Sequence, residues 1–148
     1  MKDIHQNTIL ITGGATGIGL SMAEIFLKEN NRVLVCGRRE EKLREAKEKF
    51  RELHMRVYDI ADAKDRLRLF HWSTSEFPEL NFLINNAGIQ REINLTKGTE
   101  DLLNGEDEIV TNFQAHVQLT ALFIPHLLKQ PKAAILNVTS GLGFVPLA

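Results

Sequence analysis

The stretch Thr8-Ile9-Leu10-Ile11-Thr12-Gly13-Gly14-Ala15-Thr16-Gly17-Ile18-Gly19 decides the fold. Its apolar run predicts a buried strand, and the spaced glycines that follow let backbone N–H groups approach a pyrophosphate closely, because no Cβ stands in the way. One face of a helix is then marked by Ile18, Met22, Ile25 and Phe26. The segment predicts a strand, a phosphate-binding turn and a helix whose N-terminus attracts the anion. The alternative is a loop that needs positive φ for its own sake.

The composition limits the classes of protein to which the chain can belong. With 148 residues, 43% of them apolar, it is long enough for one core, and we expect a single domain over residues 1–148. A net charge of −1 gives no electrostatic reason to expect nucleic acid or an anionic membrane as a partner. No apolar run approaches the roughly 20 residues of a membrane span, and residues 1–5 do not have the character of a secretory h-region. We therefore expect a cytoplasmic protein.

Cysteine and histidine usage gives no sign of a disulfide framework or a metal centre. Cys36 is the single cysteine, and the five histidines do not follow a metal-binding spacing. We expect no bound metal, and we interpret the histidines as surface residues or as core residues with satisfied hydrogen bonds.

A second apolar run, Val33-Leu34-Val35-Cys36, predicts a strand that ends at Gly37-Arg38-Arg39. In dinucleotide-binding folds an acid near this point accepts from the 2′-hydroxyl of the adenosine ribose, whereas an arginine accommodates a 2′-phosphate. The acid is missing here, and a guanidinium fork matches a phosphate. The pattern favours NADP(H) over NAD(H) as the cofactor, and the alternative is two surface arginines that open a charged helix.

The middle of the chain continues the alternation of helices and strands. A charged helix over 40–53 precedes a strand over 55–58, which leads into Asp59 and Ile60. Asp59 is suited either to accept from an adenine amino group or simply to close the strand. Asp62 is suited to cap the following helix, which presents Leu67, Phe70 and Phe77.

A fourth strand over 81–85 runs into Asn86-Ala87-Gly88. Small residues at a strand end let the backbone come close to a flat ligand, and asparagine amides can hold neighbouring strand ends together. The mostly polar stretch 90–105 predicts an irregular loop over the mouth of the site, where loops usually determine the choice of substrate.

The last third of the chain predicts one more helix and one more strand. The helix runs towards Leu128, and its apolar stripe is marked by Ile109, Phe113, His116, Val117 and Thr120, with Asn112 one residue off that stripe. Residues 133–138 form a fifth apolar run that predicts a buried strand, followed by Thr139-Ser140-Gly141. Strands and helices thus alternate five times, which predicts an α/β fold with a doubly wound parallel sheet in the order 3-2-1-4-5.

Five motifs in this order resemble the classical short-chain dehydrogenase/reductase family, which has a Rossmann-type fold. They are the glycine turn over 12–19, Asp59-Ile60, the run Asn85-Asn86-Ala87-Gly88, Asn112, and Asn137-Val138-Thr139-Ser140. The segments 86–93, 111–115 and 123–127 further resemble the bacterial DltE-type oxidoreductases. The resemblance covers essentially the whole chain.

The resemblance implies a role for each matching position. Gly13, Gly17, Ile18 and Gly19 would line the pyrophosphate, with Thr16 near the adenosine end, and Arg38, helped by Arg39, would hold the 2′-phosphate. Asp59 and Ile60 would flank the adenine, and Asn86, Ala87 and Gly88 would pack along the cofactor near its ribose. Ser140 would be the catalytic serine, and Asn112 the asparagine of the proton relay. The implied reaction transfers a hydride between nicotinamide and a small-molecule carbonyl or alcohol substrate.

The chain departs from the family pattern after Ser140. The family's Tyr-x-x-x-Lys motif is expected about a dozen residues further on, but the sequence given ends at Ala148, and Tyr58 is its single tyrosine. We expect an NADP-dependent oxidoreductase represented by its first part, inactive in this form because the general acid and its lysine are missing, and a homo-oligomer when full length. The alternative is a non-catalytic nucleotide-binding or interaction module that ends at Ala148.

Overall fold

The computed structural model describes residues 5–141. The strands are β1 (Thr8–Thr12), β2 (Arg32–Gly37), β3 (His54–Val57), β4 (Phe82–Asn85) and β5 (Ala134–Asn137). The helices are α1 (Gly17–Lys28), α2 (Glu40–Lys49), α3 (Ala63–Glu76), the short α4 (Glu100–Leu103) and α5 (Ala115–Leu127). A 3₁₀ turn covers Leu95–Lys97, and a π-helical turn, Val110–Gln114, leads into α5.

The five described strands form one parallel sheet in the order β3-β2-β1-β4-β5, which confirms the predicted topology. The register pairs Ile9 with Val33 on one side and with Phe82 on the other. The chain winds outward from β1 to β3 and then returns to the other side of β1 as β4. The carboxyl ends of β1 and β4 therefore flank the point where the winding reverses, which is where open α/β sheets bind their ligands.

Two apolar clusters cover the two faces of the sheet. Ile9 and Ile11 pack with Ala23 of α1 and Leu43 of α2 on one face. The side chain between them, Leu10, points to the opposite face and belongs to a cluster with residues of α3 and α5. Successive side chains of β1 thus point to opposite faces of the sheet. Because both faces are covered, β1 is buried along its whole length.

The structure corrects the predicted face of α1. Ile18 and Ile25 are 66% and 60% exposed, whereas Gly19 and Ala23 are buried. The smallest side chains of the helix face the sheet because α1 approaches the glycine turn too closely for a larger residue. Met22 and Phe26 of the predicted stripe do pack against the core, so the prediction fails at Ile18 and Ile25 only.

The predicted face of the helix that contains Asn112 was also wrong. Ile109, Phe113 and Val117 are 71%, 66% and 52% exposed. The buried positions recur every four residues instead, at Thr111, Ala115, Leu119, Phe123 and Leu127. Both faces of this helix are apolar, so periodicity alone could not select the face that packs against the sheet.

Two further expectations about burial fail, while a predicted helix cap holds. Leu67 of α3 is 47% exposed, whereas Phe70 packs against the core and Phe77 is 7% exposed, so the predicted face is wrong only at Leu67. The expected buried character of β5 is wrong, because this strand lies at the edge of the five-stranded sheet and Leu136 is 49% exposed. Asp62 caps α3 as predicted and accepts from the N–H groups of Lys64 and Asp65.

Candidate functional site

The glycine turn joins the carboxyl end of β1 to the start of α1. Gly13 and Gly17 have φ values of +66° and +54°, a region that residues with a Cβ rarely adopt. The N–H of Gly13 donates to the carbonyl oxygen of Cys36, 2.9 Å away, which fixes the turn to the neighbouring strand β2. The turn therefore depends on backbone conformations that glycine adopts easily.

Close packing around the turn requires glycine for a second reason. A Cβ on Gly13 would lie 2.8 Å from Cα of Ala87. A Cβ on Gly19 would lie 2.4 Å from the carbonyl oxygen of Gly13 and 2.6 Å from Nδ2 of Asn86. These contacts are shorter than real Cβ contacts, so the turn, α1 and the end of β4 fit together only without side chains at these two positions.

The N-terminus of α1 lacks a side-chain cap. Thr16 precedes the helix in an extended conformation, φ −150°, but its hydroxyl does not accept from the first-turn N–H groups. Its Oγ1 accepts instead from Nη2 of Arg39, 3.3 Å away. The first turn also contains no acidic residue. The partial positive charge of this helix end is therefore not offset by a cap or by a carboxylate of its own first turn. A helix end in this state is suited to bind a phosphate.

The ends of β1 and β4 are held together by Thr12 and Asn86. Oγ1 of Thr12 accepts from the backbone N–H groups of Asn86 and Ala87, both at 3.0 Å. Nδ2 of Asn86 donates to the carbonyl oxygens of Thr12 at 2.9 Å and Gly13 at 3.3 Å. This reciprocal set of bonds fixes the distance between the two strand ends.

Asn85 makes the corresponding connection between β4 and β5. Its Nδ2 donates to Oδ1 of Asn137 at 2.8 Å and to Oγ1 of Thr120 at 3.1 Å. The expectation that asparagine amides join neighbouring strand ends is confirmed at both Asn85 and Asn86.

A cleft of about 310 Å³ opens between these strand ends. Every predicted cofactor-binding position except Gly17 lines it, namely Gly13, Thr16, Ile18, Gly19, Arg38, Arg39, Asp59, Ile60, Asn86, Ala87 and Gly88. The lining also includes six positions that we did not predict, which are Ala15, Cys36, Gly37, Tyr58, Ile89 and Thr111. Segments from four strand ends thus meet at one concave surface of the size that small-molecule sites have.

Cys36 has no role as a nucleophile in this cleft. Its side chain is fully buried, and burial raises the pKa of the thiol to about 12. What it contributes is its carbonyl oxygen, which holds Gly13 in place.

Arg38 and Arg39 have different partners at the end of β2. Nη1 of Arg38 donates to Oε1 of Glu106 in an ion pair that crosses from the loop after β4. This hydrogen bond raises the pKa of Arg38 above its ordinary value, so the guanidinium stays charged. Arg39 donates to the neutral hydroxyl of Thr16, which brings a second positive charge to the start of α1.

Asp59 closes the turn after β3 and also lines the cleft. Its Oδ1 accepts from the N–H of Ala61 at 2.9 Å, and its own N–H donates to Oδ2 of Asp65 at 3.0 Å. The next residue, Ile60, is 5% exposed, and its carbonyl oxygen accepts from the buried guanidinium of Arg66. The turn is therefore rigidly attached to α3.

Asn112 lies in the π-helical turn and binds the segment that follows Gly88. Its Oδ1 accepts from the N–H of Ile89 at 2.8 Å, and its Nδ2 donates to the carbonyl oxygen of the same residue at 2.7 Å. Single π-turns of this kind are frequent at functional sites. One turn later, Nε2 of His116 contacts the carbonyl oxygen of Ala87 at 2.8 Å.

His116 is neutral at this contact. Burial lowers its pKa, and the bond to the Ala87 carbonyl offsets that effect only in part. A carbonyl oxygen can only accept, so the neutral ring carries its proton on Nε2 and donates it to Ala87. His116 thereby fixes the backbone of Ala87, which lines the cleft.

The two residues predicted to be catalytic lie outside the lining of this cleft. Ser140 is exposed and follows the end of β5 by three residues. Asn112 contacts the cleft through Ile89, which does line it. The roles assigned to Ser140 and Asn112 remain predictions.

Three residues to which we assigned no role in the site, Thr12, His116 and Glu106, are important for its geometry. Thr12 could have been found from its position at the end of a buried strand, and His116 from its spacing of four residues after Asn112. Nothing in the local sequence pointed to Glu106, which is 68 residues from its partner Arg38. Within residues 5–141, no group of three or more His, Cys, Asp or Glu side chains is arranged to hold a metal ion, and no helix is both long and apolar enough to cross a membrane.

Known proteins share the sequence pattern of this chain. A family model described as short chain dehydrogenase matches residues 7–148. The uncharacterised oxidoreductase DltE of Bacillus subtilis is 55% identical over 143 residues, and 11-beta-hydroxysteroid dehydrogenase A of Sesamum indicum is 27% identical over 151 residues. These alignments cover 97% and 98% of this chain but 57% and 42% of the relatives, so the chain spans about half the length of these curated proteins.

Solved structures share the fold. A variant of actinorhodin polyketide ketoreductase, crystallised with NADPH, superposes with a TM-score of 0.86 at 26% identity. The superposition covers all of this chain and 58% of the ketoreductase chain. A chain described as a short-chain dehydrogenase from Novosphingobium aromaticivorans also gives a TM-score of 0.86, at 19% identity, over 99% of this chain and 57% of its own.

Proposed function

This chain belongs to the short-chain dehydrogenase family, and we propose that it forms the NADP(H)-binding part of an oxidoreductase that acts on a small carbonyl or alcohol. The observation that carries the proposal is the close approach of α1 to the glycine turn, at a helix end without a side-chain cap. The family match over nearly the whole chain favours this function over a non-catalytic interaction module.

The residues of the cleft suit the parts of a dinucleotide. We assign the pyrophosphate to the glycine turn, where the backbone N–H groups of Gly17, Ile18 and Gly19 lie at the positive helix end. Gly13 would line the pyrophosphate through its bare Cα, since its N–H donates to Cys36. The helix end has no side-chain cap and no acidic residue in its first turn, so the cradle fits this group. Asp59 and Ile60 flank the adenine, and the segment Asn86-Ala87-Gly88 lies along the ribose and nicotinamide half.

The choice between the two nicotinamide cofactors depends on Arg38. The end of β2 offers an arginine and no acid, which favours a 2′-phosphate over a free 2′-hydroxyl. Arg39 adds positive charge at Thr16, between this position and the pyrophosphate site. The presence of NADPH in the similar ketoreductase supports the same choice.

The chemical step needs residues from more than one part of the family pattern. The cofactor supplies or accepts the hydride when it is bound. We assign to the Ser140 hydroxyl the polarisation of the substrate oxygen, and to Asn112 a positioning role in the proton relay. The 148 residues contain no Tyr-x-x-x-Lys motif, so we propose that they bind NADP(H) without turning over a carbonyl.

An exposed apolar face supports association with a second copy. Ile109, Phe113 and Val117 leave more than half of their surface open on the side of α5 and its π-turn that faces away from the sheet. We propose that this surface is covered in a homo-oligomer of the full-length enzyme.

Calorimetric titration of the 148-residue protein with NADPH and NADH tests the proposal. We expect NADPH to bind more tightly than NADH. We expect Arg38→Ala to lower the affinity for NADPH by about tenfold to a hundredfold, the range for hydrogen bonds to charged groups. The matched control is Arg44→Ala, which removes an arginine paired with Glu40 on α2. Equal losses for NADPH and NADH in Arg38→Ala, or no binding of either cofactor by the wild type, would contradict the proposal.

A further inference from the structure

The guanidinium assigned to the 2′-phosphate already holds an anionic group of the chain itself. Arg38 is paired with the carboxylate of Glu106, and both side chains remain about half exposed, at 44% and 51%. Glu106 reaches Arg38 from the loop after β4, whereas Arg38 lies at the end of β2. The ion pair therefore joins the loop after β4 to the end of β2, where the adenosine end of a dinucleotide would lie.

The loop is folded so that it presents Glu106 to Arg38. The guanidinium of Arg91 donates to the carbonyl oxygen of Glu106 at 2.6 Å and to the carbonyl oxygens of Asp101 and Asn104. The backbone N–H of Arg91 donates to Glu108 at 2.6 Å. Several backbone groups of the loop are thus gathered around Arg91, so Glu106 is held near Arg38 by more than its own side chain.

A carboxylate and a phosphate compete for the same guanidinium fork. Each accepts the N–H groups of an arginine in a similar planar arrangement, and two negative groups placed there together would repel each other. From this geometry we propose that Glu106 is an internal competitor of the 2′-phosphate at Arg38. The inference rests on the proposed NADP(H) function and adds a residue that lowers the affinity for the phosphorylated cofactor.

Competition also connects the cofactor to the loop. A 2′-phosphate that takes Arg38 releases Glu106, and the loop then loses its contact with the end of β2. By reciprocity, the phosphate weakens the contact between Glu106 and Arg38 by the same factor by which that contact weakens binding of the phosphate. A ligand that lacks the 2′-phosphate leaves the ion pair intact.

The test compares two probes that differ in the 2′-phosphate, 2′,5′-ADP and 5′-AMP, by calorimetry at low salt. We expect Glu106→Gln to tighten binding of 2′,5′-ADP about twofold to fivefold, the range that corresponds to an exposed ion pair, and to leave 5′-AMP unchanged. The gain shrinks as salt screens the pair. The matched control, Glu92→Gln, removes the same charge from the same loop but not from the pair with Arg38, and leaves both affinities unchanged.

Two further measurements separate this inference from the proposed function. In the Arg38→Ala background, Glu106→Gln should no longer tighten 2′,5′-ADP, and binding of 2′,5′-ADP to the wild type should speed amide exchange over residues 101–106. If Arg38→Ala weakens 2′,5′-ADP while Glu106→Gln leaves it unchanged or weakens it, the competition is overturned and the role of Arg38 stands. If Arg38→Ala does not distinguish the two probes, both are overturned.

Discussion

The substitution Gly19→Ala tests whether α1 is seated directly on the glycine turn. The added Cβ would lie 2.4 Å from the carbonyl oxygen of Gly13 and 2.6 Å from Nδ2 of Asn86. The nearer atom belongs to the backbone, so α1 must move away from the turn. Overpacking of this kind costs about 1–3 kcal/mol, and the better helix propensity of alanine returns up to about 1 kcal/mol. We place the net loss in the free energy of unfolding at about 1–2 kcal/mol.

Thermal unfolding and cofactor titration together measure the effect of Gly19→Ala. A loss of about 1–2 kcal/mol lowers Tm by about 3–6 °C in a protein of this size, and displacement of the helix end weakens NADPH as well. Gly37→Ala is the control for stability, because no atom lies within 4 Å of a Cβ built at Gly37. A Gly19→Ala protein with the Tm and the NADPH affinity of the wild type would refute the packing described for α1.

Two further predictions concern the groups that hold the strand ends. Thr12→Val removes the acceptor of two backbone N–H groups, so we expect a loss of about 1–3 kcal/mol in denaturant unfolding, more than for Thr8→Val on the same strand; equal losses would contradict the role of Thr12. His116→Gln should flatten the decline of Tm on acidification. The pKa of His116 is lowered in the folded state, so its contribution is complete above the unfolded pKa of about 6.5 and is lost as pH falls through the lower folded value. Parallel Tm profiles for wild type and variant between pH 7 and 5 would show that His116 does not titrate as described.

The sequence revealed most clearly the parts of the site that depend on local chain geometry. The glycine turn could be predicted because a strand, residues with positive φ and the start of a helix must follow one another within a few residues. The hydrogen bonds of Asn85 and Asn86 could be predicted because an amide at the end of a parallel strand has few possible partners besides the neighbouring strand. The strand order followed from the alternation of elements and the handedness of their connections.

The contacts that the sequence could not reveal depend on distances in space. Nothing near Glu106 indicates that its carboxylate meets Arg38, since the approach depends on how the loop folds around Arg91. The buried face of α5, and part of the buried face of α1, were misassigned for a related reason. Each helix has apolar residues on more than one face, and the face that packs is chosen by the closeness of the sheet, which favours small residues such as Gly19 and Ala115.

The start of α1 is built against its own local stability, and this is the strongest physical argument for a ligand there. The start of α3 shows what an ordinary helix of this chain does, because Asp62 accepts from two first-turn N–H groups. At α1 the hydroxyl of the equivalent residue, Thr16, accepts a hydrogen bond from Arg39 instead. Two of the first three helical residues are glycines, of which Gly17 has a φ of +54° and Gly19 leaves no room for a Cβ. A helix end that lacks its cap is explained if a phosphate supplies the missing acceptors, and the bonds of Thr12 and Asn86 hold the turn in shape for it.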